Sequence, residues 1–142
     1  MILTLLAGLH LPGCQPEKVP LRTIQIQQEW ALQPGGEVAG YAVSSGLGDI
    51  TLELGGDGVQ MPFTGEVQPT IGNCVVISSP EVPAYLFRLC GVRRPQLGQR
   101  EQGQIVGRAQ QLVFAALRKQ PNGTWAMVEP STALIENLLV EQ

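Results

Sequence analysis

Residues 111–125, Gln-Leu-Val-Phe-Ala-Ala-Leu-Arg-Lys-Gln-Pro-Asn-Gly-Thr-Trp, decide the reading of the fold. The segment reads as one strand, a tight turn and the start of a second strand. Asn122-Gly123 carries the turn: both residue types accept positive φ, so the dipeptide predicts a type I′ hairpin. An all-β domain follows if the rest of the chain is built the same way, and its composition says that it is. Seventeen glycines and eleven prolines are spread along 142 residues rather than gathered in a low-complexity block. Such spacing favours many short strands joined by turns.

A chain of this length makes one domain with a single core. Apolar residues make up 44% and charged residues only 15%, leaving a surface rich in neutral polar groups, glutamine above all. The net charge of −3 argues against nucleic acid as a partner, because phosphate binding needs a basic face. Arg88, Arg93, Arg94 and Arg100 form the densest basic group, read first as a solvated edge.

Outward from the Asn-Gly hairpin, residues 50–54 are the cleanest period-2 segment, with Ile50, Leu52 and Leu54 alternating with Thr51 and Glu53. Ile24 and Ile26 alternate with glutamines in the same way. Residues 38–43 read as one short strand, 59–67 as strand material broken by Pro62 and Gly65, and 97–107 as glycine-punctuated corners. Residues 74–77, Cys-Val-Val-Ile, are wholly apolar and predict a central strand covered on both faces. Residues 78–83 turn it and 85–89 return. Leu134, Ile135, Leu138 and Leu139 recur at helical spacing after Pro130-Ser131. They predict one helix over 132–140, capped by Ser131 or Thr132. The fold class expected is a small antiparallel sandwich or flattened barrel closed by one short C-terminal helix, over residues 24–142.

Three cysteines do not make a disulfide framework. Cys74 reads as a small buried hydrophobe. A hairpin centred near Pro80 does not set it opposite Cys90, so no bridge is expected. Residues 1–23 admit two readings. Leu11-Pro12-Gly13-Cys14 resembles a lipoprotein cleavage box, which would make Cys14 a lipidation site and a lipid anchor the one link to a membrane. No Lys or Arg precedes it, however, and the apolar run is too short to span a bilayer. The alternative is an ordinary lead-in segment or first strand.

Over residues 40–139 the order of several short motifs resembles the lysostaphin-type (LytM-like) zinc endopeptidases, which cut peptide cross-links in bacterial cell walls. The family's V-x-A-P-x-x-G-x-V falls on Val59-Gln60-Met61-Pro62-Phe63-Thr64-Gly65-Glu66-Val67. Its G-N-Y-V-V-I falls on Gly72-Asn73-Cys74-Val75-Val76-Ile77, and its Y-A-H-L on Leu86-Phe87-Arg88-Leu89. G-Q-x-I-G is similar to Gly103-Gln104-Ile105-Val106-Gly107 with its middle residues exchanged. The ligand strand H-L-H-F-E-x-R corresponds to the opening segment, ending at Arg118, and G-x-x-V-D-P to 123–130. Another barrel-sandwich module, a biotinyl-lipoyl carrier, would need a displayed lysine. Lys119 lies near the hairpin turn but lacks flanking methionines.

The resemblance implies a duplicated β motif and, in active members, a zinc held by a histidine and aspartate four apart and by a histidine of the ligand strand. Zinc of this kind keeps an open position for water. The only histidine here is His10, outside the resemblance. The first motif falls on Ser45 and Asp49, and the Y-A-H-L histidine on Arg88. The ligand positions fall among Leu112, Val113 and Phe114, with alanine at the acidic position. No cofactor and no hydrolase activity are therefore expected. Ser44 and Ser45 have no histidine base, Asp49 with Glu53 reads as an exposed polar face, and Gly55 to Gly58 precede a strand, so they lack the helix dipole of a phosphate loop.

Members of the family without zinc ligands regulate partners such as cell-wall amidases. By resemblance, the expected role is a non-enzymatic interaction or regulatory module outside the cytoplasm, taking a protein partner or an extended peptide along a vestigial groove. Ser45, Asp49, Arg88, Val113 and Phe114 are its expected positions. Arg88 either anchors a carboxylate or pairs with Asp49 or Glu53 and fills the vacated site. A structural subunit of a larger assembly, with its low charge buried in an interface, and a wall-binding module using Trp125 and Tyr85 are the alternative classes.

Overall fold

The computed structural model describes residues 24–26 (backbone only), 34–45 and 49–140. In chain order the strands are β1 Ile24–Ile26, β2 Glu37–Val38, β3 Tyr41–Ser45, β4 Ile50–Glu53, β5 Gly58–Gln60 and β6 Gly65–Pro69. They continue as β7 Cys74–Ser78, β8 Tyr85–Cys90, β9 Gly98–Arg100, β10 Ile105–Arg108, β11 Gln111–Lys119 and β12 Trp125–Val128, before helix α1 Thr132–Leu138. The large sheet runs β2-β3-β4-β11-β8-β7-β6-β9, and β12 pairs with both β11 and β1. Strands β5 and β10 form a separate two-stranded sheet.

Long apolar β11 explains the centre of this arrangement. On one side it pairs with β8 over its whole middle, and on the other with β4 and then β12. Side chains alternate across a strand. Leu112, Phe114 and Ala116 therefore join Ile50, Leu52, Phe87 and Leu89 on one face, all buried. Val59, Met61 and Val106 from the β5 region and β10, with Ile135 and Leu138 from α1, belong to the same core. The small sheet and the helix thus cover the inner face of the large sheet, giving two layers around one core. The sheet path is open from β2 to β9 rather than closed, which corrects the flattened barrel to an open sheet with a partial second layer.

Four local expectations change. Residues 38–43 are not one strand: Ala39 and Gly40 have φ of 51° and 84° and make a two-residue turn between β2 and β3. The Asn-Gly hairpin is not type I′, because Gly123 has positive φ (82°) and Asn122 does not. Pro121 holds its own φ negative, as position i+1 of a type I turn requires. Gly123 N donates to Gln120 O (3.0 Å) and Gln120 N to Thr124 O (2.8 Å), closing a three-residue loop with a left-handed glycine. Helix α1 starts as expected, with Ser131 Oγ accepting from Leu134 N. It stops before Val140 because Leu139 turns extended and bridges Val59.

The fourth change is the disulfide. Cys74 and Cys90 are bonded, their Cα atoms 4.0 Å apart, and they are direct cross-strand partners. The pairing of Ile77 with Phe87 centres the β7–β8 hairpin on Val82, two residues beyond Pro80. Ser79 draws the loop out to that length: its hydroxyl donates to Thr64 O (2.6 Å) and accepts from Glu81 N.

Candidate functional site

The face of the large sheet turned away from β5, β10 and α1 carries Asp49, Arg88 and Val113, and further along it Ala115, Leu117, Leu86 and Met127 are buried. Ala115 pairs with Arg88 and Val113 with Cys90 between β11 and β8. Val113 pairs with Thr51, and Phe114 with Ile50, between β11 and β4. One step further along β4, toward its start, stands Asp49. The row Arg88, Ala115, Asp49 therefore crosses three strands, a span of about 10 Å at the usual strand spacing. A guanidinium on a long stem can cross it because the middle residue is alanine. Arg88 Nη2 lies 3.6 Å from Asp49 Oδ2. Both side chains are partly exposed, 23% and 33%, so the contact is a screened pair rather than a buried one. The Arg88 Nε is buried without a hydrogen-bond partner among the described residues; the guanidinium is only partly satisfied.

Val113, half-buried, lies in the neighbouring cross-strand row of this face, between Thr51 and Cys90. Phe114 does not share the face: it is fully buried in the core and stacks on Phe87 at 6.3 Å between centroids. Ala115, which the sequence reading did not single out, takes its place between Arg88 and Asp49. Only the residue-by-residue register of β11 against β8 reveals this, since a one-residue shift exchanges the two faces. Ser45 ends β3, its backbone opposite Thr51 across a bulge. Cys14 and His10 lie outside the described residues. Among the described residues, no group of three or more His, Cys, Asp or Glu is placed to hold a metal ion. No described helix is long and apolar enough to cross a membrane.

A second feature lies at the other end of the inner face. Phe87 is the hub of an aromatic row: Phe63 stacks on it at 5.8 Å and Tyr85 at 6.5 Å. These rings, with Val82, Arg118 and Leu134, line a cleft of about 420 Å³ between β8, β11, β12 and the start of α1. The register brings this about, because Tyr85 is the cross-strand partner of Arg118 and Phe87 of Ala116. The cleft offers aromatic faces below and both Arg118 and Glu129 at its lining, a combination suited to an apolar group that carries polar substituents. Trp125, the other aromatic considered from the sequence, packs half-buried against the core.

No protein-family model matches the chain, and no curated protein matches it.

Proposed function

We propose that this domain is a non-catalytic, peptidase-like interaction or regulatory module that acts on a protein partner, with a cell-wall hydrolase as the first partner to test. The observation that carries the reading is the Arg88–Asp49 pair lying across Ala115. In the resemblance to lysostaphin-type peptidases, these three strands hold the metal and the groups that activate water. Here their side chains are a guanidinium, a methyl group and one carboxylate, and the guanidinium lies beside the carboxylate. A guanidinium neutralises the carboxylate and supplies no lone pair to a metal. The cross-strand disulfide supports a setting outside the reducing cytoplasm, where such bridges persist.

The test is a dye-release assay on labelled peptidoglycan. The domain alone, with added zinc, releases no dye. Added to a purified cell-wall hydrolase, it changes the release rate several-fold. Zinc-dependent release by the domain alone would overturn the proposal, and an unchanged rate with every hydrolase tried would remove the regulatory part.

The aromatic cleft favours a second reading, a module that holds a wall peptide or glycan without cutting it. Rings that line an open cleft are the usual platform for such ligands. Sedimentation with insoluble peptidoglycan separates the two: retention that is lost in Tyr85→Ala and kept in Arg88→Met supports wall binding through the cleft.

A further inference from the structure

The arginines grouped in the sequence separate in space. Arg88 turns to Asp49, and Arg100 donates to Leu97 O (2.9 Å). Arg93 and Arg94, however, meet a newcomer, Arg108 of β10, around one open concavity of about 790 Å³. Arg93 N donates to Arg108 O (2.8 Å), and the two residues sit directly opposite one another in an isolated antiparallel bridge. Like charges directly opposite across a β pair are unfavourable. Arg94 adopts a left-handed φ of 47°, a conformation that costs a residue with a side chain.

Among the described residues, none of the three side chains makes an ion pair or a hydrogen bond. Among the described residues, Gln96 and Gln110 also line the concavity, and no Asp or Glu does. Acidic residues outnumber basic ones 12 to 9 in the whole chain, so a surface with three cations and no acid runs against its composition. Nothing among the described residues uses this arrangement: the charges oppose one another and the backbone is strained at Arg94.

We propose that this concavity is an anion-binding site for an acidic peptide segment that presents two or three closely spaced carboxylates. Guanidinium forks match carboxylates in bidentate geometry. The apolar neighbours favour a protein segment over a polyphosphate. Ile105, in the concavity, is 47% exposed and Leu97, next to Gln96, is 46% exposed, which suits leucine- or valine-containing acidic peptide. Three cations on a net-negative domain are too few for a nucleic-acid track or an anionic membrane surface. The site does not depend on the peptidase resemblance, because none of its residues belongs to the Arg88–Asp49 row.

The experiment is fluorescence polarisation of a fluorescein-labelled hexaglutamate peptide against the full chain. Binding is expected at about 30 mM salt and is expected to fade by roughly 300 mM, as screened ion pairs do. Arg108→Gln weakens it by about five-fold or more, since one bidentate partner is lost. Lys119→Gln, the same charge change elsewhere, stays within about two-fold. The thermal midpoint of Arg108→Gln equals or exceeds that of the parent, because a like-charge opposition is relieved; a purely structural arginine would lower it. The proposal is overturned if the peptide fails to bind at low salt, if both substitutions weaken it equally, or if an oligothymidylate of equal charge binds more tightly.

Discussion

Arg88 stands where the family resemblance places a histidine, and its surroundings explain what an arginine does there. Its stem crosses Ala115, its terminal nitrogen meets Asp49 at 3.6 Å, and its Nε is buried without a partner among the described residues. A partly exposed pair contributes at most about 1 kcal/mol, and a buried, unpartnered donor subtracts from that gain. The packing of the stem over the sheet is the larger contribution. Arg88→Met, which keeps the stem, is therefore expected to stay within about 1 kcal/mol of the parent in urea unfolding. Arg88→Ala is expected to lose about 1–2 kcal/mol, because it removes that cover from the sheet. Equal, large losses in both variants would show that the charge rather than the stem matters. At this scale the sequence could name Asp49 and Arg88 but not their neighbour. Whether Phe114 or Ala115 faces them turns on one residue of register, which β propensity does not specify when residues 112–117 are apolar throughout.

At the scale of elements, the β7–β8 hairpin joins the outer face to the core. Val75 and Ile77 pair with Leu89 and Phe87 inside, and Cys74 pairs with Cys90 outside. The disulfide closes a sequence separation of 16 residues, and a loop of that size restricts the unfolded chain by about 3 kcal/mol. The buried pairs hold the register without it. The double variant Cys74→Ala/Cys90→Ala is therefore expected to remain folded, with a thermal midpoint lower by an amount on the order of 10 °C. Near-UV circular dichroism during heating, with and without reductant, checks this: the parent plus reductant should match the variant. No difference between oxidised and reduced parent would mean that the bond is absent in solution.

The hairpin also marks where sequence patterns reach their limit. Its two strands were legible as an apolar run and its return, and β4 and the Ser131 cap were legible for similar local reasons. The bridge was not, because the Ser79–Thr64 hydrogen bond that sets the loop lies far apart in sequence. The same holds for the parallel pairing of β1 with β12, which no local signal announces. Pro121 was legible in principle: its fixed φ favours a type I turn and leaves the left-handed position to Gly123 alone.

Across the whole molecule, one open sheet presents two faces to different tasks. The inner face supplies the core under β5, β10 and α1, and at one end leaves the aromatic cleft open. The outer face carries the Arg88–Asp49 row and the disulfide. On the proposed function, the outer-face row is filled by its own side chains and recognition occurs elsewhere on the domain. Crystals of the chain grown with zinc chloride, measured with anomalous diffraction at the zinc edge, test this most directly. The expected result is an intact Arg88–Asp49 contact and no anomalous peak over Ala115. A zinc peak bound to Asp49, with Arg88 turned away, would contradict it.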